Sequence, residues 1–298
     1  MKKQQSSRTK SEVRLSADRR NRPVVVVPVH RTGPSPSEIV SLRQCGKVFI
    51  KRDIVILAPK YLDLSVYREL LPRAADLRVE EHWMASVKAY NRMMMSPLVF
   101  NALGGYTQMI IHEPDAIVLR DEIDYWCDQP FDYIGAPWFE GWDQPAADAP
   151  AIGVGNFGFS FHRLPTSRRV TASPLRWVPY RAAAKNLIQG LRGDKARLRQ
   201  GLIGLGSAGR LRGAYKLVQE NCDLFWSFIV PNIDNNFRIP AVDIAVKFSW
   251  ETLPSRCMEM CGGGLPFGIH KWFKYDFGFL MPHLLSAGID LHEVLDSR

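Results

Sequence analysis

The chain lacks any long uninterrupted run of apolar residues. No hydrophobic segment approaches the roughly 20 consecutive apolar residues that a membrane-spanning helix needs, and residues 1–22 contain no apolar core typical of a signal peptide. We therefore expect a cytoplasmic protein. Its 298 residues, 46% hydrophobic and 23% charged, are typical of a globular protein with one large or two small domains.

Cysteine is scarce, and internal repeats are absent. The five cysteines are odd in number and scattered: Cys45, Cys127, Cys222, Cys257 and Cys261. This pattern favours a reducing compartment over a disulfide framework. Cys257 and Cys261 have no second pair of ligands near them in sequence, which argues against a zinc site.

The positive charge is unevenly distributed. Eight Lys/Arg and two acids give residues 1–22 a charge of +6, and thirteen Lys/Arg and one acid give residues 163–216 a charge of +12, so the rest of the +9 chain carries −9. Two basic segments on an acidic body suggest attraction to a phosphate-bearing substrate or to an anionic membrane. Solvated faces and a disordered tail explain the same charge.

The hydrophobic pattern predicts an α/β fold. Residues 24–29 form a β-branched apolar run typical of a central parallel strand, and residues 54–57 form a second one. Between them, the Gly/Pro/Ser turn at residues 33–37 predicts a helix with Ser37 as its N-cap. Strand, helix, strand is the pattern of a βαβ unit.

Further elements are predicted along the chain. Residues 87–103 have helical spacing that Pro97 kinks or interrupts, and residues 109–111 form a short buried strand. The Gly/Pro/Trp-rich residues 135–150 are typical of a mobile flap over a ligand. Residues 153–162 predict a loop that enters a strand.

The C-terminal half carries the second basic segment. Its glycine-interrupted pattern predicts a basic helical insertion or lid over residues 163–219. An aromatic helix at 223–230, ended by Pro231, and a partly buried strand at 241–249 should follow. We predict a basic disordered tail at 1–22, one domain at 23–282 and a C-terminal tail at 283–298.

Two carboxylates directly follow the predicted strand at 109–111. Glu113 and Asp115 are separated by one proline, and alternate residues of an extended chain point to the same side. Their oxygens suit Mg²⁺ or Mn²⁺. The alternative is a solvent-facing turn with incidental charge.

Four segments carry a family resemblance. They are Asp-Tyr-Ile-Gly-Ala-Pro-Trp at 132–138, Gly-Asn-Phe-Gly-Phe-Ser at 155–160, Asn-Cys-Asp-Leu-Phe-Trp-Ser at 221–227 and Pro-Phe-Gly-Ile-His-Lys-Trp at 266–272. In order and spacing they resemble a bacterial family of glycosyltransferase-like proteins of largely unknown function. The resemblance covers about residues 23 to 282.

This resemblance implies a GT-A-like fold, in which a Rossmann-type nucleotide-binding half is continuous with an acceptor-binding half. A nucleotide-diphosphate sugar would be held through Mn²⁺ or Mg²⁺ on an acidic motif. Asp115 would then be the principal metal ligand, with Glu113 beside it and His270 as a third ligand. Asp223 would be the catalytic carboxylate.

The same resemblance implies residues for the two substrates. Asp115 would also serve the donor, while Trp138, Asn156 and Gly158 would contact the acceptor. Independently of the resemblance, His30 and Arg31 leave the first predicted strand where α/β folds bind nucleotides, so we expect them on the donor. Trp142 and Trp272 could stack on sugar or base, although aromatic residues mostly serve packing.

Three positions depart from the family pattern. Glu113 replaces Gln and adds a carboxylate, Cys222 replaces Glu and leaves Asp223 alone as the acid, and Phe157 replaces Gly and should crowd the acceptor floor.

We predict a metal-dependent glycosyltransferase that uses a saccharide or lipid-linked acceptor in surface polysaccharide synthesis. The departures keep open a catalytically inactive carbohydrate- or nucleotide-binding protein on the same scaffold. Nucleic-acid binding is a third hypothesis, but no zinc finger, helix-turn-helix or RNP-like strand accompanies the charge, so we expect no nucleic-acid partner.

Overall fold

A computed structural model describes residues 21–172, 186–189, 191–206 and 221–296. Residues 1–20 of the predicted basic tail lie outside this description, as do residues 173–185, 190 and 207–219 of the predicted insertion and residue 220 after it. Among the described residues, no helix is both long and apolar enough to cross a bilayer.

The strands are short, and the first two are the most apolar. In chain order they are β1 (Pro23–Pro28), β2 (Asp53–Pro59), β3 (Ala75–Val79), β4 (Gln108–His112), β5 (Ile117–Val118), β6 (Tyr133–Ile134), β7 (Ala136–Phe139), β8 (Ala151–Gly155), β9 (Phe159–Arg163), β10 (Ser249–Trp250) and β11 (Gly268–Ile269).

The helices connect and cover these strands. They are α1 (Pro36–Val48), α2 (Ser65–Leu70), α3 (Val87–Met94), α4 (Pro97–Ala102), α5 (Ile123–Asp128), α6 (Leu164–Ala172), α7 (Lys195–Gly206), α8 (Cys222–Leu224), α9 (Val230–Ile233), α10 (Val242–Phe248), α11 (Pro254–Met260), α12 (Phe277–Ser286) and α13 (His292–Leu295). A 3-10 turn spans Glu81–Trp83, and a π-helical turn, Phe225–Ile229, joins α8 to α9.

A six-stranded sheet in the order β3-β2-β1-β4-β9-β6 forms the centre of the fold. Strands β1 to β4 are parallel, whereas β9 runs antiparallel to both β4 and β6. Two smaller sheets, β10-β11-β5 and the hairpin β7-β8, lie beside it. This is the mixed α/β architecture with a mostly parallel sheet that the sequence predicts.

The central strand β1 is covered on both faces. Val24 and Val26 belong to one apolar cluster, together with methionines of α3 and Trp226, while Val25 and Val27 belong to a second cluster on the opposite face. All four valines are fully buried. Alternate residues of a strand face opposite sides, which explains why this strand is a continuous apolar run.

Several predicted elements are confirmed. The runs at 24–29, 54–57 and 109–111 correspond to β1, β2 and β4. The predicted helix at 87–103 is divided into α3 and α4, with Pro97 as the first residue of α4. A proline is tolerated there because the first helical N–H has no intrahelical partner.

The N-cap of α1 is Ser35, so the prediction of Ser37 was wrong. The Ser35 hydroxyl accepts from the Glu38 N–H, and the Glu38 carboxylate accepts from the Ser35 N–H at 2.6 Å. This reciprocal capping box begins the helix two residues earlier.

The strand predicted at 241–249 is mostly helix α10, followed by the short strand β10. The apolar β-branched composition favoured a strand. However, the buried residues Ala245, Val246 and Phe248 have helical spacing, and Asp243 and Lys247 complement the two ends of the helix dipole.

Two further predictions also need correction. Pro231 does not end its helix, because it lies in the first turn of α9, directly after the π-helical turn, where its missing N–H costs little. The loop predicted at 135–150 begins with a strand, β7, which pairs with β8.

The C-terminal residues pack against the body of the fold. Helix α12 extends to Ser286, and Ile289, Leu291 and Val294 are buried in a third apolar cluster around Trp250 and Trp272.

Candidate functional site

The two arms of the candidate site follow two strands from different sheets. Glu113 follows β4, and its N–H donates to the Gly158 carbonyl at 2.8 Å, while its own carbonyl accepts from Ala116 in a tight turn. His270 follows β11, and its N–H donates to the Trp250 carbonyl at 2.8 Å. These backbone hydrogen bonds fix the positions of the Glu113 and His270 main chains, from which the two side chains extend.

Glu113, Asp115 and His270 converge. Their potential ligand atoms all lie within 4.8 Å of one another. The His270 Nε2 atom is 3.4 Å from a Glu113 oxygen and 3.3 Å from an Asp115 oxygen. Two carboxylates and an imidazole nitrogen are a suitable ligand set for Mn²⁺ or Mg²⁺.

His270 itself indicates that this site fits a cation. The residue is only 4% exposed, and neither ring nitrogen has a partner with hydrogen-bond geometry among the described residues. A buried polar atom normally has a partner, so a nitrogen aimed at two carboxylates without a hydrogen bond is consistent with metal ligation.

The local electrostatics favour a positive charge at this point. Burial lowers the pKa of His270, but Asp115, Glu113 and Glu251 outweigh it and raise the pKa well above its ordinary value. Burial alone would raise the pKa of Asp115, because it disfavours the charged carboxylate, but His270 and Lys271 together bring this pKa below its usual range. The carboxylates therefore stabilise whichever cation lies between them, a proton on His270 or a metal ion.

Glu251 lies behind His270. It is 8% exposed, and its Oε1 atom is 2.6 Å from the Lys271 Nζ atom and 3.3 Å from the His270 Nδ1 atom. Burial raises the pKa of Glu251, but His270 and Lys271 outweigh that effect and lower it to about 2. Glu251 is therefore a buried carboxylate in its charged form.

The floor of the site is the turn between β8 and β9. Asn156 adopts a left-handed backbone conformation with φ of 67°, and its side-chain oxygen accepts from the Gly158 N–H at 3.0 Å. Its Nδ2 atom donates to Glu251. The Tyr133 hydroxyl donates to the Asn156 carbonyl at 2.9 Å.

Asp223 lies at the start of the helical segment that begins with α8. The Asn221 side chain caps this segment by accepting from the Asp223 N–H at 2.8 Å and from Leu224 at 3.2 Å. Burial, and then the charges of Glu113 and Glu251, raise the pKa of Asp223 to about 7.

One cavity of about 990 Å³ joins these groups. It is lined by every site residue predicted from the sequence, namely His30, Arg31, Glu113, Asp115, Trp138, Asn156, Gly158, Asp223 and His270. Trp142 also lines it. Trp272 does not, since it is fully buried in the third apolar cluster and its indole N–H donates to Ser41 at 2.8 Å.

Sequence reasoning assigned no role to several residues that line the cavity. Glu251 carries no local signal, because it follows the two-residue strand β10 and lies beyond the strand predicted at 241–249. Lys271 lies within the Pro-Phe-Gly-Ile-His-Lys-Trp segment, which is a signal that could have found it. Tyr90 and Asn91 lie on α3, whose apolar stripe indicated only packing.

Two of the residues that depart from the family pattern, Phe157 and Cys222, are buried beside the cavity. Phe157 is 3% exposed, and its ring packs against Tyr90 and His162 in the first apolar cluster. Its ring is therefore accommodated largely in the core. The Cys222 thiol is buried and donates to the Asn91 side-chain oxygen at 3.1 Å.

The fold and the site define an α/β protein with a candidate divalent-metal site at the end of a central parallel strand. The model of the family described as "Protein of unknown function (DUF5672)" matches residues 75–270, and the chain belongs to this family. The matched part includes Glu113, Asp115, Asp223 and His270. A comparison with curated proteins finds no match.

Several solved structures are similar to the chain. The galactosyltransferase LgtC, in complex with donor and acceptor sugar analogs, is 10% identical with a TM-score of 0.45, over 83% of this chain and 86% of that chain. Core-mannan synthase A from Aspergillus fumigatus, in its Mn/GDP form, is 10% identical with a TM-score of 0.38. That match covers 57% of this chain and 64% of the synthase.

The mannosyltransferase Ktr4p from S. cerevisiae, in complex with GDP, is also 10% identical, with a TM-score of 0.30 over 40% of this chain and 41% of that chain. The chain thus spans less than two thirds of core-mannan synthase A and of Ktr4p.

Proposed function

We propose that this chain is a metal-dependent glycosyltransferase that moves a sugar from a nucleotide-diphosphate donor to a saccharide or lipid-linked acceptor. The observation that carries this proposal is the convergence of Glu113, Asp115 and His270 within 4.8 Å, on a cavity that Asp223 also lines. The cavity volume of about 990 Å³ suits a ligand of nucleotide-sugar size.

In this proposal, Glu113, Asp115 and His270 would hold Mn²⁺ or Mg²⁺, and the bound ion would stabilise negative charge on the departing diphosphate. Lys271 lies beside this site and adds a second cation facing the same cavity. His30 and Arg31 follow the carboxyl end of the central strand β1 and line the cavity, and they contact the donor nucleotide.

Asp223 is the proposed catalytic base. The acceptor hydroxyl loses its proton as its oxygen bonds to the anomeric carbon and the bond from that carbon to the diphosphate breaks. A carboxylate with a pKa of about 7 is suited to accept a proton near neutral pH. This role belongs to an inverting reaction; in a retaining reaction Asp223 would only bind the acceptor.

The acceptor end of the cavity is aromatic. The Trp138 ring lies 5.1 Å from the Trp142 ring, and Phe228 stacks on Trp138 at 5.7 Å with an interplanar angle of 24°. Trp142 is 50% exposed. We assign this rim, with Asn156 and Gly158 on the floor, to the acceptor, because flat apolar rings can cover the C–H face of a sugar.

The biological setting is proposed from charge. A lipid-linked acceptor in surface polysaccharide synthesis would lie at the cytoplasmic face of a membrane, and the basic residues 163–216, at +12, would favour contact with anionic lipid there.

Calorimetric titration with UDP, GDP and their sugars, with and without Mn²⁺, tests the function. We expect Mn²⁺-dependent binding of one nucleotide, weakened at least about 100-fold in Asp115→Ala because one of the proposed metal ligands is lost. Asp148→Ala, which removes an exposed carboxylate outside the cavity, is the matched control and should bind as the unaltered chain does.

Two results would count against the proposal in different ways. If the folded protein binds no nucleotide in either condition, the donor site does not exist. If it binds a nucleotide sugar but transfers nothing to any supplied acceptor, the non-catalytic carbohydrate- or nucleotide-binding alternative is favoured.

A further inference from the structure

Glu251 lies at the junction of the two arms of the candidate metal site. It follows β10 and is 8% exposed. Its carboxylate lies near His270 and Lys271 on one side and near Asn156 on the other. We propose that Glu251 is a positioning residue that holds the His270 arm and the Glu113 arm at their working separation. This inference rests on the proposed metal-dependent function.

The first connection runs to His270. The Glu251 Oε1 atom is 3.3 Å from Nδ1 of His270, whereas Nε2 on the other side of the ring faces Glu113 and Asp115. A carboxylate behind a metal-binding histidine fixes the orientation of the ring and makes the ligating nitrogen more basic. Glu251 lies on the side of the ring that this role requires, at 3.3 Å from Nδ1, although this arrangement lacks hydrogen-bond geometry there.

The second connection runs to Glu113 through the floor of the site. Glu251 Oε2 accepts from the Asn156 side-chain amide, and the Asn156 side-chain oxygen accepts from the Gly158 N–H at 3.0 Å. The Gly158 carbonyl in turn accepts from the Glu113 N–H at 2.8 Å. One carboxylate is therefore linked to the backbone of the opposite arm by three successive hydrogen bonds.

The backbone around Glu251 supports the same conclusion. Asn156 and Lys271, which both bond to Glu251, have positive φ angles of 67° and 46°. Lysine rarely adopts this conformation and asparagine does so more readily, and in both cases surrounding contacts stabilise it. The bonds to Glu251 are contacts of this kind.

Glu251 is unsuited to be a metal ligand itself. Its Oε2 atom is bonded to Asn156, and its Oε1 atom is paired with Lys271 at 2.6 Å. Both oxygens are thus engaged by the protein, so the metal would be held by Glu113, Asp115 and His270 while Glu251 acts through its neighbours.

Electron paramagnetic resonance of free Mn²⁺ during titration of the protein, without nucleotide, tests this inference. Glu251→Gln keeps the size of the side chain and one acceptor oxygen, and we expect it to weaken Mn²⁺ binding about 10- to 100-fold. Glu259→Gln makes the same chemical change at an exposed position on α11 and should leave Mn²⁺ binding unchanged. The thermal unfolding temperature of each metal-free variant separates loss of binding from loss of fold.

Glu251→Asp is the second variant and covers the case in which Glu251→Gln does not fold. It keeps the charge but withdraws the carboxylate by one methylene group. Weakened binding supports a positional role, and binding equal to that of the unaltered chain in the folded variants overturns the inference. If the unaltered chain binds no Mn²⁺, the proposed metal-dependent function fails instead, so the two failures are distinguishable.

Discussion

At the scale of single residues, the site depends on a close approach between Gly158 and His270. A Cβ atom on residue 158 would lie 2.1 Å from the His270 Nε2 atom, which is the nitrogen that faces Glu113 and Asp115. This distance is far inside any normal contact, and the His270 ring is buried with little room to move. Only glycine at residue 158 allows the present geometry.

We therefore predict that Gly158→Ala displaces the His270 ring and weakens Mn²⁺ binding by about 10-fold or more, as measured by the same resonance titration. Gly278→Ala is the control, because a Cβ atom on this exposed helical residue would meet nothing within 4 Å. The control should bind Mn²⁺ normally and gain up to about 1 kcal/mol in free energy of unfolding. Unchanged Mn²⁺ binding in Gly158→Ala would remove the histidine from the proposed ligand set.

At the scale of elements, helix α1 links the parallel sheet to the rim of the cavity. Its capping box joins Ser35 to Glu38, and Glu38 also pairs with Arg31, one of the proposed donor contacts. The helix start and a cavity residue therefore depend on the same carboxylate.

The cap can be tested by comparing two neighbouring serines. Ser35→Ala should lower the free energy of unfolding by about 1 kcal/mol, because the Glu38 N–H loses its side-chain acceptor. Ser37→Ala should cost clearly less, since within the part of the chain that the structure describes the Ser37 hydroxyl caps no backbone N–H and pairs with the Ser35 hydroxyl at 3.3 Å. Chemical denaturation of both variants measures the difference, and an equal cost would contradict the assignment of Ser35 as the N-cap.

At the scale of the whole molecule, the core contains a histidine that is stable only when neutral. His162 on β9 is fully buried among aromatic rings of three other elements, those of Phe100, Tyr133 and Trp226. Neither of its ring nitrogens has a hydrogen-bond partner among the described residues. Burial lowers its pKa to about 3.

This burial makes the fold sensitive to acid. The unfolded chain takes up a proton on His162 below about pH 6.5, whereas the folded chain does so only near pH 3. The contribution of neutral His162 to the free energy of unfolding is therefore complete above pH 6.5 and is lost as the pH falls toward 3. Between pH 6.5 and 5, the unaltered chain should lose about 2 kcal/mol more free energy of unfolding than His162→Phe. Denaturant titrations at several pH values measure this difference.

His82→Phe is the matched control for the acid prediction, because His82 is exposed. Its pH dependence should follow that of the unaltered chain. If His162→Phe shows the same pH dependence as the unaltered chain, then His162 is not held neutral by the folded state.

The sequence by itself determined the central strands and one arm of the site. Residues 24–27 are β-branched, and such a run is typical of a buried parallel strand. Glu113 and Asp115 follow β4 so closely that they must lie near the carboxyl end of the strand. These features depend on residues that are neighbours in the chain, so local patterns contain them. The proposed role of His270 as a metal ligand could be predicted only through the family resemblance.

Tertiary structure decided the rest, because it depends on contacts between distant segments. The apolar residues of α10 fit a strand as well as a helix, and packing against the second and third apolar clusters selected the helix. Glu251 has no local signal, yet the sheet β10-β11-β5 places it against His270, Lys271 and Asn156. The burial that raises the pKa of Asp223 and lowers that of His162 exists only once several elements exclude water together.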